Sequence, residues 1–517
     1  MKRALKTAVA ALALLAIPAA AEPVPVTIGT TSGPVIDRDI FGQFAEHLGT
    51  GIYGGVWVGA DSLIPNVRGI RSDVVAALKA IRVPNVRWPG GCFADEYHWR
   101  EGIGAPASRP ARINASWGGV IEPNSFGTHE FMDFADQIGA EVFLSINIGS
   151  GTVQESADWL EYMTADKPTA LQKERVANGR VKPWKVKFLG LGNENWGCGG
   201  AMSNDHYVEE MKRFAHYTRN LNPAQTGKDA MKRVAVGWDS GNSDYTESVM
   251  QAWKTKVWSW DIEGVSLHNY TLGVGGWPPH LSSTNFGEED YAKLLKDNER
   301  TDVLITRQSA VMDKYDPEKK LFLSVDEWGA WLAPTPGSNP GFLQQQNTLR
   351  DAIMAAIDIN VFMRHADRVR VANIAQMANV LQAMILTDGP RMVLTPTYHV
   401  FRLYVPFQDA TAVPVNFAAG SYTHGTITLP RLDAFAARDK DGVLWLAVTN
   451  IDPNQPLEIA LTGRSAKGEV LTAPKVDSMN TFDDPNAVAP RPIEARSSGG
   501  RLVLTLPAKS VAVVAIR

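Results

Sequence analysis

Eight short apolar runs alternate with helix-length amphipathic stretches between residues 39 and 376, and this alternation restricts the fold more than any other feature of the chain. The runs read as strands at 39–46, 83–88, 141–148, a fourth ending at Glu194, 233–238, 263–268, a seventh ending at Glu327, and 369–375. Helical patterns fall at 72–82, 128–138, from 153 towards 163, 205–221, 247–253, 291–315 and 347–363. Ser72 is placed to cap the first helix, and Thr152 with Glu155 forms a capping box for the third. Runs that are apolar on both faces suit buried parallel strands. Their regular alternation with helices predicts an α/β fold, a (β/α)8 TIM barrel. A doubly wound open sheet is the alternative. It would carry a Gly-rich phosphate turn after its first strand, and Phe41-Gly42-Gln43 is not one.

Two of the strands end alike. Val186 to Leu191 runs into Gly192-Asn193-Glu194-Asn195-Trp196, and Leu321 to Val325 runs into Asp326-Glu327-Trp328. In a barrel all C-terminal strand ends open on one face. That places Glu46, Cys92, Asn193, Glu194, His268, Tyr270, Glu327 and Gln376 around one mouth. Two carboxylates facing each other there suit glycoside cleavage: one protonates the departing oxygen, and the other attacks the anomeric carbon or activates water. Glu327 must be ionised to attack, and its charge helps to keep Glu194 protonated. A Gly/Pro/Ser loop at 271–287 is long enough to be a binding loop or lid. His268 reads as a structural hydrogen-bonder, and Arg87 as a brace for the carboxylates.

Beyond Thr395 the helical patterns fade. Strands at 433–439 and 443–449 flank a Lys440-Asp441-Gly442 turn, followed by strands at 457–461, 502–506 and 511–516. A jelly-roll-like β-sandwich over 395–517 is expected, joined by an N-terminal strand within 22–37. The barrel then occupies 38–394. Before it, Met1-Lys2-Arg3 with Lys6, an apolar stretch from Thr7 to Pro18 and Ala19-Ala20-Ala21 read as a signal peptide cleaved near Ala21, with a periplasmic or secreted product. Losing Lys2, Arg3 and Lys6 moves the formal charge from −4 to −7. No basic patch suits nucleic acid, and no later apolar run is long enough for a membrane span. Only Cys92 and Cys198 occur, too few for a disulfide scaffold, and their pairing stays open. No zinc-ligand spacing or calcium loop is present, so no metal or cofactor is expected. Linkage preference and oligomeric state stay open, a homo-oligomer included.

Phe41-Gly42-Gln43-Phe44-Ala45-Glu46-His47-Leu48-Gly49, Arg87-Trp88-Pro89-Gly90-Gly91-Cys92-Phe93, Gly192-Asn193-Glu194-Asn195-Trp196-Gly197, Asp326-Glu327-Trp328 and Asn373-Ile374-Ala375-Gln376 together resemble glycoside hydrolase family 51. The resemblance implies a retaining α-L-arabinofuranosidase that releases terminal arabinofuranose from arabinan or arabinoxylan. It makes Glu194 the acid/base and Glu327 the nucleophile. Glu46, Cys92, Asn193, Tyr270 and Gln376 then line the substrate site, with Asn193 at the 2-hydroxyl and Tyr270 on the nucleophile. The alternatives are an endo-β-glucanase or xylan-active enzyme of the same family, and a non-catalytic carbohydrate-binding protein on the same scaffold.

Overall fold

Eight parallel strands close on themselves: β1 (Gly42–Phe44), β2 (Asn85–Trp88), β3 (Glu141–Ile146), β4 (Phe188–Leu191), β5 (Lys232–Ala235), β6 (Gly264–Thr271), β7 (Phe322–Ala330) and β8 (Val369–Ile374). Each pairs with its successor, and β8 returns to β1 with Asn373 opposite Gly42. The structure, a computed structural model, describes residues 22–239, 241, 243–257 and 259–517. The leader expected at 1–21 lies outside the described residues. Phe143, Phe188, Val234, Phe322 and Val371, from five strands, form one buried cluster. Phe188 and Phe322 meet 5.8 Å apart although their strands are not neighbours, so the cluster fills the barrel interior. Arg87 lies against this plug, its guanidinium 4.6 Å from the Phe44 ring centre and 5.8 Å from that of Phe143. The charged groups of the mouth therefore stand on an apolar floor.

The helices follow the expected order with local departures. Residues 38–41 form a 3-10 turn, which shortens the first strand and leaves Glu46 two residues beyond it. Arg71, not Ser72, holds the N-cap position of Ser72–Ala80, whereas Thr152 does cap Val153–Thr164 by accepting from Glu155 N–H. The stretch expected as one helix at 291–315 is two, Glu288–Asn298 and Arg300–Tyr315. The break falls beside Asn298, whose buried Oδ1 accepts from Thr271 Oγ1 at 2.9 Å. Ala170–Ala177 is an additional helix. Its inward residue is Arg175, which donates to the carbonyls of Tyr162 and Met163, so no apolar period marks it. Pro396–Tyr404 is also helical, with Thr395 as its cap and Pro396 in the first turn, where strands alone were expected.

Helix Leu349–Arg364 runs between barrel and sandwich and is buried over nearly its whole length. Burial pushes its Asp358 carboxyl up to about 8. The folded pKa lies above the unfolded one, so this stabilisation is complete below about pH 4 and is lost as pH rises through about 8. Asp358→Asn is expected to flatten the decline in melting temperature across this range, removing a slope of up to about 1.4 kcal/mol per pH unit. Calorimetric scans at several pH values check it; an unchanged slope would show that Asp358 does not titrate in this way.

The sandwich packs a six-stranded antiparallel sheet against a smaller one. In the smaller sheet Val24–Pro25 runs parallel to Leu457–Leu461, with Val24 opposite Ile459. Val26, Ile459, Leu504, Val448 and Val514 share the core between the sheets. Among the described residues no helix is long and apolar enough to cross a membrane.

Candidate active site

Glu327 lies on β7 and is 5 % exposed. Its Oε1 accepts from Arg87 Nη1 at 2.7 Å and its Oε2 from Tyr270 Oη at 2.8 Å. Two donors, one of them cationic, hold and aim this carboxylate. Gly91 makes the arrangement possible: a Cβ there would stand 2.8 Å from Glu327 Oε1.

Glu194 follows β4 in a tight turn. Gly192 has φ 87° and Glu194 itself φ 42°, a left-handed conformation uncommon for a residue with a side chain. Asp95 fastens the turn. Its Oδ2 accepts from Asn193 N–H at 2.7 Å, while its Oδ1 accepts from the N–H groups of Ile148 and Gly149, both at 2.7 Å. One buried carboxylate thus ties together the loops after β2, β3 and β4, and burial pushes it up to about 7.

Glu194 Oε1 meets His268 Nδ1 at 2.8 Å. The same nitrogen lies 3.5 Å from Glu327 Oε2, and the other ring nitrogen lies 3.5 Å from Asp326 Oδ1. Burial pulls the imidazole down, but Glu327, Asp326 and Glu194 more than offset it and raise His268 to about 10. The surrounding carboxylates favour the protonated imidazole between the two catalytic candidates, where the sequence suggests only a structural hydrogen-bonder. One carboxylate oxygen of Glu194 and one of Glu327 lie within 4.8 Å of each other.

The remaining expected residues converge on the same place. Glu46 Oε1 accepts from the N–H groups of Gly91 and Phe93 and from Trp117 Nε1, and its Oε2 accepts from Gln376 Nε2. Burial, with the charge of Glu327 second, pushes Glu46 up to about 7. Asn193 Oδ1 accepts from Arg87 Nη2 at 2.6 Å. Cys92, whose pairing the sequence leaves open, is joined to Cys198 in a disulfide that spans the loops after β2 and β4. Glu46, Cys92, Glu194, Tyr270 and Glu327 line a cavity of about 360 Å³, walled by Trp117, Leu343 and Leu381 and, on the loop side, by Leu272, Trp277 and Trp331. Trp277 stands edge-on to Trp331, which stands edge-on to Tyr270, so an aromatic row leads from the Tyr270–Glu327 pair to the rim.

Residues 77–270 match the model of the alpha-L-arabinofuranosidase 1 domain, and residues 326–510 that of the alpha-L-arabinofuranosidase C-terminal domain. The chain is 43% identical over 520 residues to an intracellular exo-alpha-L-arabinofuranosidase of Bacteroides ovatus, covering 99% of each. The chain belongs to the family 51 α-L-arabinofuranosidases. The crystal structure of the family 51 arabinofuranosidase from Xanthomonas axonopodis pv. citri superposes with a TM-score of 0.91 at 49% identity, over 96% of this chain and 100% of that one. An α-L-arabinofuranosidase from Thermotoga maritima, solved as an arabinose complex, superposes at 0.82 with 29% identity, over 95% and 99%.

Within this family 51 site, three groups escaped the sequence reading: Asp95, Trp117 and Asp326. Asp95 and Trp117 lie along the segment that follows β2, and only the fold brings them to the mouth. Asp326 sits beside the recognised Glu327, but its contact is with His268, 58 residues earlier in the sequence. Tyr270→Phe removes one donor from Glu327. kcat is expected to fall about 10–10²-fold, the worth of a hydrogen bond to a charged acceptor, with an unchanged circular dichroism spectrum. A variant as fast as the parent would remove Tyr270 from the machinery.

Proposed function

We propose that this α-L-arabinofuranosidase works by double displacement, with Glu327 as nucleophile and Glu194 as acid/base, on terminal arabinofuranosyl residues of arabinan or arabinoxylan. The spacing of the two carboxylates carries the reading: within 4.8 Å, they leave no room for the water that an inverting enzyme places between them. Ionised Glu327 attacks the anomeric carbon as Glu194 protonates the departing oxygen. Glu194, now charged, is stabilised by the His268 cation 2.8 Å away. It then takes a proton from the water that opens the glycosyl ester.

The roles of Glu46, Asn193 and Gln376 are to hold sugar hydroxyls, Asn193 the 2-hydroxyl. Cys92 contributes wall. The enzyme is exo-acting, and the closing of the cavity by Trp117, Leu343 and Leu381 favours a single terminal sugar over an open cleft. Hydrolysis of defined arabinoxylan oligosaccharides followed by NMR tests this. Free arabinose appearing first as the α anomer is expected. A first-formed β anomer would overturn retention, and larger products would favour the endo-acting alternative.

Export is a further part of the proposal. The leader at 1–21 and a disulfide between the only two cysteines support an oxidising compartment, although the Bacteroides ovatus relative is named as intracellular. A mature chain beginning at Glu22 in the periplasm or medium is expected. Uncleaved protein confined to the cytosol would refute it.

A further inference from the structure

Cys92 and Cys198 stand on opposite loops of the mouth, beside the acid/base candidate. The Cα atoms are 5.5 Å apart. Cys92 lines the cavity and Cys198 is exposed, so a small reductant reaches the bridge. Cys198 Sγ is 3.6 Å from Glu194 Oε2. Both sulfurs and a Glu194 oxygen lie within 4.8 Å of one another. Each of the three is placed by its own backbone. Cys92 opens a 3-10 turn after Gly91, and the N–H groups of Gly197 and Gly199 both donate to the Glu194 carbonyl.

These distances have a chemical meaning once the bridge is open. Zinc binds thiolate sulfur at about 2.3 Å and carboxylate oxygen at about 2.0–2.2 Å in a tetrahedron, which sets sulfur and oxygen about 3.6 Å apart. We propose that reduction of the Cys92–Cys198 bridge creates a site for a soft divalent cation, held by the two thiolates and the Glu194 carboxylate, and that occupation of this site stops catalysis. In the reduction, a phosphine gives two electrons to the sulfur–sulfur bond and becomes its oxide. Water supplies the oxygen to phosphorus and one proton to each sulfur. Binding of the cation then releases both thiol protons, and the Glu194 proton, to solvent. A Glu194 oxygen committed to the metal has no proton to give the leaving group. The bridged form offers no thiolate and is indifferent to the cation.

The neighbouring trio of Glu194, His268 and Glu327 is the competing place for a cation. It already holds the Arg87 guanidinium 2.7 Å from Glu327, and that fixed positive charge repels one. The two placements respond differently to redox state.

The test uses the full mature enzyme, bridged or reduced with a phosphine under nitrogen, then titrated with zinc alone. Bound zinc is read by competition with a chromogenic chelator. Activity is read on an arabino-oligosaccharide relative to the same redox form without zinc. The reduced enzyme is expected to take up one zinc per chain and to lose activity about 10²-fold, the worth of a general acid, with recovery on adding a chelator. The bridged enzyme is expected to bind none and to keep its rate. Cys198→Ser is expected to bind none under either condition; should it fail to fold, reduced enzyme alkylated at both thiols takes its place with the same expectation. Equal inhibition of bridged and reduced enzyme would move the cation to the His268 trio and overturn the proposal. Zinc retained after Cys198 is replaced or alkylated, or no uptake by the reduced enzyme, would also overturn it. The zinc count does not depend on which sugar the enzyme cleaves.

Discussion

Glu327→Ala is expected to lower turnover about 10⁴-fold or more, the usual cost of removing a nucleophile that acts as part of a unit. Two changes combine in this variant. The atom that bonds to the anomeric carbon is gone, and the Arg87 and Tyr270 donors that were aimed at it lose their acceptor. The vacated space is small and polar, so azide should enter it and attack the sugar directly. The expected product is a glycosyl azide of inverted configuration. Stability should fall, because the buried Arg87 guanidinium loses its 2.7 Å carboxylate partner, although it keeps Asp326 at 3.4 Å and Asn193 at 2.6 Å. Full activity in Glu327→Ala, or azide rescue with retained configuration, would transfer the nucleophile's role to another residue.

Glu194→Ala is expected to separate substrates by leaving group. On a natural arabinoside, where the departing sugar oxygen needs a proton, the loss should reach about 10²–10⁴-fold. On a dinitrophenyl arabinofuranoside the first step needs no acid. The ester on Glu327 should then accumulate and appear as a burst followed by a slow phase. Added azide should drain that ester to a glycosyl azide of retained configuration, opposite to the product from Glu327→Ala. Equal losses on both substrate types would end the acid/base assignment. His268 should change behaviour in the same variant, since its 2.8 Å carboxylate partner is gone while Glu327 and Asp326 remain.

How far the chain announces this site depends on where each residue lies. Glu194 and Glu327 are legible because each comes late in or just after an apolar run that a parallel barrel aims at one face, although the strand expected to end at Glu327 continues to Ala330. Glu46 and Gln376 are legible for the same reason, although β1 is only three residues long and Arg38–Phe41 turns where a strand was expected. Trp117 and Asp95 are not legible. They sit in connecting segments whose path depends on everything around them, and their partners lie 71 and 98 residues away. The charge on His268 is hidden for a different reason. A histidine's protonation depends on how many carboxylates surround it, and three surround this one. Ala170–Ala177 shows how a helix can evade a periodicity search when its inward side chain is an arginine satisfied by carbonyls.

The parallel pairing of Val24–Pro25 with Leu457–Leu461 imposes an order on biosynthesis. At ribosomal speeds of about 5–20 residues per second, the first strand emerges roughly 20–90 seconds before its partner exists. The barrel can assemble in that interval, while the leading segment has nowhere to dock. A nascent chain arrested before residue 457 therefore keeps a free, sticky end, and chaperone or translocase contacts have that whole interval in which to act on it.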